Sequence, residues 1–214
     1  MNTILDILKE TGAIITNDHF VYTSGKHGSV YINKDALYPH TEKASKVGEL
    51  FAEKVKDKDI DVVVGPALGG IILSQWTAYH LSRMKGKEVL GVYTEKDKDS
   101  NQVFGRRGYD KLIPGKNVLI VEDLTTTGGS VKKVVNTVKA TGGNIVAVGV
   151  MINRNPKDVN EVFMKTPFFS LGEFEAQAFD ENECPLCREG KPINSKIGHG
   201  KKFLERLSPR SDLN

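Results

Sequence analysis

Apolar positions along the chain fall into a few repeating patterns. Ile4, Leu5, Ile7 and Leu8 recur at helical spacing, and Gly12 supplies a stop. "FVYTSGKHGSVYIN", residues 20–33, alternates aromatic or β-branched residues around a Gly-rich turn and predicts a hairpin. Between Glu42 and Lys56, Ala44, Val47, Leu50, Phe51 and Val55 mark one face of a helix. Then come a short apolar strand ending in glycines, "IDVVVGPALGG", and a helix, "IILSQWTAYHLSRMKG". Further strands are expected at "EVLGVYTE", "NVLIVEDLTTTGGS" and "NIVAVGVMINR", with the helix "VKKVVNTVKATGG" between the last two. Unbroken Val/Ile/Leu strands that alternate with helices are buried on both faces. The pattern predicts an α/β fold with a doubly wound, mainly parallel sheet.

Two regions break the pattern. The stretch "TEKDKDSNQVFGRRGYDKLIPG", residues 94–115, is polar and charged, shows no core face, and reads as a lid or a disordered loop. After Pro156 the periodicity loosens, and the last ~15 residues read as a frayed or helical tail. No internal repeat or low-complexity tract is visible. We expect one domain over 1–214, with an N-terminal part to about 40, a core over about 41–155 and a C-terminal appendage over about 156–214.

Composition excludes several classes. At 214 residues the chain can bury a core without staples, and 39% hydrophobic with 27% charged residues is ordinary for a soluble globular protein. The net charge of +3 comes from Lys and Arg interleaved with acids, so no nucleic-acid stripe is expected. No apolar run approaches a membrane span. The opening "MNTILDILKETGAI" reads as an amphipathic helix rather than a signal sequence. A cytoplasmic location is the expectation.

The most informative stretch is "VLIVEDLTTTGGS", residues 118–130. In open α/β sheets, ligands bind beyond the carboxyl ends of the strands. The backbone amides of Gly128 and Gly129, the hydroxyls of Thr126, Thr127 and Ser130 and the following helix N-terminus suit a phosphate monoester. The Gly-Lys-Ser/Thr ending of a Walker loop is missing. Glu122 and Asp123 precede this loop and can accept hydrogen bonds from vicinal ribose hydroxyls, directly or through a metal ion. The competing reading is a strand-to-helix turn whose acids cap the helix. A second loop, "GPALGG", offers amides around Gly65, Leu68, Gly69 and Gly70 to an anion, or is a turn for close helix–sheet packing.

Hydrocarbon, two acids, then a Thr/Gly/Ser loop resembles the phosphoribosyl-diphosphate motif of the type I phosphoribosyltransferases. The wider chain, over residues 1–155, resembles the branch of that family whose acceptor is orotate. The matching features are the Ser-Gly hairpin, the second glycine loop and the strand ending "MINR". The resemblance implies a small N-terminal hood of helix and hairpin on the core. It also implies transfer of phosphoribose from 5-phosphoribosyl 1-diphosphate to orotate, giving orotidine 5'-phosphate and diphosphate. "GPALGG" would cradle the diphosphate, although some relatives carry a lysine where this chain has Leu68-Gly69-Gly70. Mg2+ would bridge substrate oxygens without a protein cage. The basic segment, with Lys96, Lys98, Arg106 and Arg107, would close on the departing diphosphate and exclude water. In relatives it reaches the other subunit, which implies a homodimer. Lys96, Arg106, Arg107 and Asp123 are the catalytic candidates, and a merely solvated loop is the alternative for the first three. No histidine lies between His80 and His199, so the lid lacks the one usual in that branch.

On the acceptor side, Arg154 would hold the orotate carboxylate, or else stand as an ordinary strand-end residue. Tyr31 and Ile32 would cover the base, and Lys26 would reach base or phosphate; near relatives place a basic residue at the position of Thr23. A purine or other base as acceptor stays open. So does a regulator that binds the donor without turnover, although no DNA-binding extension is evident. Cys184 and Cys187 stand at zinc-knuckle spacing, with His199 or a partner subunit's thiols as the expected completing ligands. Ordinary thiols are the other reading.

Overall fold

The structure is a computed structural model, and it describes residues 3–175 and 177–207. In chain order the elements begin α1 (Ile4–Glu10), β1 (Ile14–Ile15), β2 (Phe20–Val21), β3 (His27–Gly28), β4 (Tyr31–Ile32) and α2 (Thr41–Lys54). Next come β5 (Val62–Pro66), α3 (Gly69–Lys85), β6 (Leu90–Lys96), β7 (Gln102–Val103), β8 (Asn117–Thr125) and α4 (Gly129–Ala140). The last are β9 (Asn144–Asn153), α5 (Glu161–Met164), β10 (Phe168–Glu173), α6 (Pro185–Arg188) and α7 (Gly200–Leu207). Contacts divide the chain into two compact units, one of residues 1–11 and 34–175, the other of residues 12–33 and 176–214.

The first unit is a six-stranded sheet in the order β10-β9-β8-β5-β6-β7. All neighbours are parallel except β6 and β7. Its central strands β5, β8 and β9 are largely apolar because both faces are covered. Val62, Val64, Val118, Ile120, Val148 and Val150 pack with Val131, Val134, Val135 and Val138 of α4. The alternate residues Val63, Leu119, Val121 and Met151 are equally buried. On that other side α2 sends Phe51 against Gly149 of β9, and α2 packs on α3. This alternation is what a doubly wound sheet requires. α1 starts on a capping box, in which Thr3 and Asp6 satisfy each other's backbone amides, and Ile4, Ile7 and Leu8 are buried.

Chain order reverses between β5 and β8. From β5 the chain crosses through α3 to β6 on one side, then returns to β8 on the other and proceeds to β9 and β10. The carboxyl ends of β5 and β8 therefore flank the switch point, where open α/β sheets bind ligands.

Two expectations need correction. The segment after Thr94 is not a polar loop without a core face: β7 pairs antiparallel with β6, Glu95 opposite Val103 and Lys96 opposite Gln102. Phe104 and Ile113 are core residues, and Thr94 Oγ1 donates to Gln102 Oε1 within the interior at 2.7 Å. A two-residue edge strand and isolated apolar anchors are too short to show as periodicity. The loosened pattern after Pro156 likewise hides β10, which joins the sheet in parallel beside β9.

In the second unit β2 and β3 form the expected hairpin, with Phe20 opposite Gly28 and Val21 opposite His27. The rest of that stretch pairs elsewhere: Tyr31 and Ile32 lie opposite Ile15 and Ile14. His27 also bridges to Phe179, and α7 buries Phe203. The expected tail is helical to Leu207, and residues 208–214 lie outside the described residues. Among the described residues no helix is long and apolar enough to cross a membrane.

Candidate active site

The two glycine loops follow β5 and β8, which pair directly with Val64 opposite Ile120. They open side by side at one end of the sheet. β8 turns into α4 at Gly128, whose backbone is left-handed with φ 73°. A side chain at Gly128 would strike the Phe163 ring, so both conformation and space call for glycine. Gly128 N donates to Thr125 Oγ1 at 3.1 Å and Gly129 N to Thr127 Oγ1 at 3.4 Å. These bonds shape the turn and leave Thr126, Thr127, Gly129 and Ser130 facing solvent at the start of α4.

β5 leads through Gly65, Pro66 and the cis Ala67–Leu68 peptide into α3. Leu68 is 81% exposed, although its neighbours Gly69 and Gly70 are buried. Gly69 sits against Asp123: a β-carbon there would overlap Asp123 Oδ2 and stand 2.5 Å from the Tyr38 hydroxyl. The second loop is thus in contact with the acid pair of the first.

Glu122 and Asp123 are 7% and 6% exposed. As consecutive strand residues they leave the sheet on opposite faces. Asp123 Oδ2 meets Lys34 Nζ at 2.9 Å and accepts from Tyr38 OH at 3.3 Å. Asp123 Oδ1 accepts from Leu124 N at 2.6 Å, and Glu122 Oε1 accepts from Asp123 N at 2.9 Å. Burial, reinforced by the Asp123 charge, raises the Glu122 carboxyl well above the usual carboxylate range. Burial and then the two acids raise the Tyr38 phenol, which keeps it a donor. Burial alone would lower Lys34, but the Asp123 charge and hydrogen bond outweigh it and raise the ammonium.

Sequence reasoning missed Lys34 and Tyr38. Lys34 opens a single 3-10 turn, Lys34–Ala36, and Tyr38 stands 85 residues from Asp123, so no local spacing could reveal either.

The other candidates are placed as follows. Arg154 comes directly after β9, and its backbone N–H donates to Thr125 O at 2.8 Å, beside the first glycine loop. Lys96 ends β6, two residues past Thr94, which lies opposite Pro66 of the second loop. Arg106 and Arg107 occupy the 3-10 turn Gly105–Arg107. Arg107 pairs with Glu95 at 3.2 Å and lies over the Tyr93 ring at 5.5 Å from its centroid. In the second unit Lys26 makes an exposed pair with Asp180 at 3.3 Å. Tyr31 stacks obliquely with Phe20 at 5.4 Å between ring centroids.

An acid pair and two glycine loops at a switch point offer the acceptors and backbone amides that a phosphorylated sugar requires. The family model of the phosphoribosyl transferase domain matches residues 33–180, and the chain belongs to that family. Among its relatives, the orotate phosphoribosyltransferase of Thermotoga maritima is 37% identical over 199 residues, 93% of this chain and 100% of that protein. The orotate phosphoribosyltransferase of Thermoanaerobacter is 37% identical over 190 residues, 89% of this chain and 93% of that one. Among solved structures, orotate phosphoribosyltransferase from Aeropyrum pernix superposes with a TM-score of 0.62 at 23% identity, covering 80% of this chain and 94% of that one. The Mycobacterium tuberculosis enzyme in complex with Fe(III) dicitrate gives 0.64 at 21% identity, over 80% and 96% of the two chains. At such identities these structures show the shared fold.

Proposed function

We propose that the protein transfers phosphoribose from 5-phosphoribosyl 1-diphosphate to orotate, releasing diphosphate and forming orotidine 5'-phosphate. The observation that carries this is the junction of the buried acid pair with both glycine loops, Gly69 lying against Asp123. It is supported by relatives of that name matching nearly the whole chain.

In this reading the Thr126–Ser130 turn holds the 5-phosphate and the Glu122–Asp123 pair holds the ribose hydroxyls. The Gly65–Gly70 loop receives the diphosphate. Lys34 and Tyr38 hold the Asp123 carboxylate in place before the sugar arrives, so the site is preorganised. Arg154 offers a planar fork to the orotate carboxylate, and Lys96, Arg106 and Arg107 supply positive charge for the leaving group. Lys26 and Tyr31 are assigned to the acceptor side by family resemblance, as is a homodimer.

Mg2+ fits this donor set. Magnesium takes oxygen ligands and usually relies on substrate oxygens and water, and the Asp123 carboxylate beside Gly69 can add to them. When bound, it would neutralise charge on the diphosphate, with Asp123 or Glu122 as the protein's contribution.

A substrate panel tests the reading. Purified protein is given the donor, Mg2+ and one of orotate, uracil, adenine, guanine or xanthine, and diphosphate release is followed. Orotate-dependent release is expected. Turnover of a purine with orotate inert would overturn the acceptor assignment.

A further inference from the structure

The two cysteines take no part in the reaction proposed above, and the second unit gathers them with two histidines. Cys184, Cys187, His19 and His27 each present one ligand atom, all within 4.8 Å of one another. His199, one of the two completing ligands expected from sequence, is engaged elsewhere, with its Nε2 3.1 Å from Thr23 Oγ1. From these four side chains we infer a structural zinc site in the second unit, a tetrahedral Cys2His2 centre.

The geometry carries the argument. Zinc bonds of about 2.3 Å to sulfur and about 2.0–2.1 Å to nitrogen imply ligand-to-ligand edges of about 3.3 Å for N–N and about 3.6 Å for S–N in a tetrahedron. His19 Nε2 stands 3.7 Å from both sulfurs. Cys187 Sγ lies 3.2 Å from His27 Nδ1, and the two ring nitrogens are 2.9 Å apart. Four measured edges thus lie within about half an ångström of those a zinc ion would impose.

The outer contact of His19 agrees, whereas His27 Nε2 is buried without a hydrogen-bond partner among the described residues. His19 Nδ1 is 2.8 Å from Lys191 O. A carbonyl can only accept, so Nδ1 carries the proton and the Nε2 lone pair faces the cluster. That is the tautomer a metal-ligating histidine needs, oriented as such histidines usually are. Cys184, His19 and His27 are 0%, 1% and 0% exposed, so these polar atoms converge in the interior rather than on a solvated face.

Sequence distance supplies the reason for a metal. His27 and Cys187 are 160 residues apart, and the unit is built from two separate short segments. Units below about 70–80 residues commonly need a staple such as a structural metal. On binding, each thiol loses a proton to solvent and both imidazoles stay neutral. Two thiolates then balance the ion's charge, and nothing is oxidised or reduced. The soft sulfur–nitrogen set favours zinc over magnesium or calcium.

The test uses the full chain without a polyhistidine tag, purified in reductant without chelator. Elemental analysis should find one zinc per chain. After exchange to Co2+, the spectrum should show intense tetrahedral visible bands and thiolate-to-cobalt charge transfer in the near ultraviolet. The double variant Cys184→Ser/Cys187→Ser and, separately, His19→Gln should lose the metal, whereas His199→Gln should keep it. Failure of the unmutated, folded chain to retain zinc after incubation with Zn2+ and reductant would overturn the inference. A cobalt spectrum without thiolate charge transfer would do so too, and needs no variant to fold. Retention of zinc by the cysteine double variant, or a Cys184–Cys187 disulfide persisting in reductant, would also count against the site.

Discussion

Replacing Lys34 with Met tests the cradle around Asp123. The pair is close, at 2.9 Å, with side-chain exposures of 30% for Lys34 and 8% for Asp123. At an effective dielectric of 20, unit charges at that distance attract by about 6 kcal/mol. Desolvation of the buried carboxylate and screening of the partly exposed ammonium consume much of it, leaving a net of about 1–3 kcal/mol. Lys34→Met keeps the hydrocarbon stem and, among the described residues, leaves Tyr38 as the side-chain donor to Asp123 Oδ2. A Tm loss of about 2–4 °C per kcal/mol follows for a chain of this size. The Lys34 ammonium is raised in the folded state, so its contribution is fully present below the unfolded lysine value of about 10.4 and is lost as pH rises through the folded one. The deficit of Lys34→Met should therefore be level between pH 6 and pH 9, on the order of 1–3 kcal/mol, and shrink in stronger alkali. Urea unfolding of wild type, Lys34→Met, Asp123→Asn and the double variant gives the coupling directly. Additive single and double variants would refute a pair that holds the acid, as would a deficit already fading at pH 8.

Three further outcomes are expected. Gly69→Ala forces the new methyl group into Asp123 Oδ2 and the Tyr38 hydroxyl; it should cost about 1–3 kcal/mol by thermal unfolding and weaken donor binding by calorimetry, and unchanged values for both would contradict the close approach. The raised Glu122 carboxyl penalises the folded state once pH exceeds the unfolded value of about 4.3, because the unfolded chain then ionises first. Glu122→Gln should therefore raise Tm at pH 7 but leave it nearly unchanged at pH 4, while weakening donor binding; equal Tm shifts at the two pH values would count against the assignment. Arg154→Gln removes a charge-assisted bond of about 1.5–3 kcal/mol, so KM for orotate should rise by about 10–100-fold with KM for the donor little changed; equal rises in both would instead mean that Arg154 supports the phosphate loop.

Much of the sheet was legible because its strands are covered on both faces. Val62–Val64, Val118–Val121 and Ala147–Ile152 read as hydrocarbon wherever they are placed, and helical stripes such as Val131, Val134, Val135 and Val138 mark what covers them. β7 and β10 escaped notice for different reasons. β7 is two residues of an antiparallel edge, and β10 is half-buried along most of its length, so neither carries a period that burial would impose. The glycine loops showed because a phosphate-shaped turn must be continuous in sequence. The cradle did not, because the Lys34–Tyr38 stretch, Gly69 and Asp123 come from three separate parts of the chain and meet only in the folded unit.

The same distinction separates the two ligand clusters. At the acid pair, the local motif states the chemistry and the distant residues only tune it: without Lys34 the loop after Asp123 would still read as a phosphate turn. Among His19, His27, Cys184 and Cys187 the local signal is half a site, since a Cys-x-x-Cys pair supplies two ligands and a closed tetrahedral site needs four. The missing half sits at and just before a hairpin, where both histidines look like ordinary polar positions; His27 even takes a strand register opposite Val21. What distinguishes them is burial and, for His19, a tautomer fixed by the Lys191 carbonyl, and both are properties of the folded unit. A histidine aimed inward by a backbone acceptor more than a hundred residues away is therefore stronger evidence of a ligand than its spacing from any cysteine.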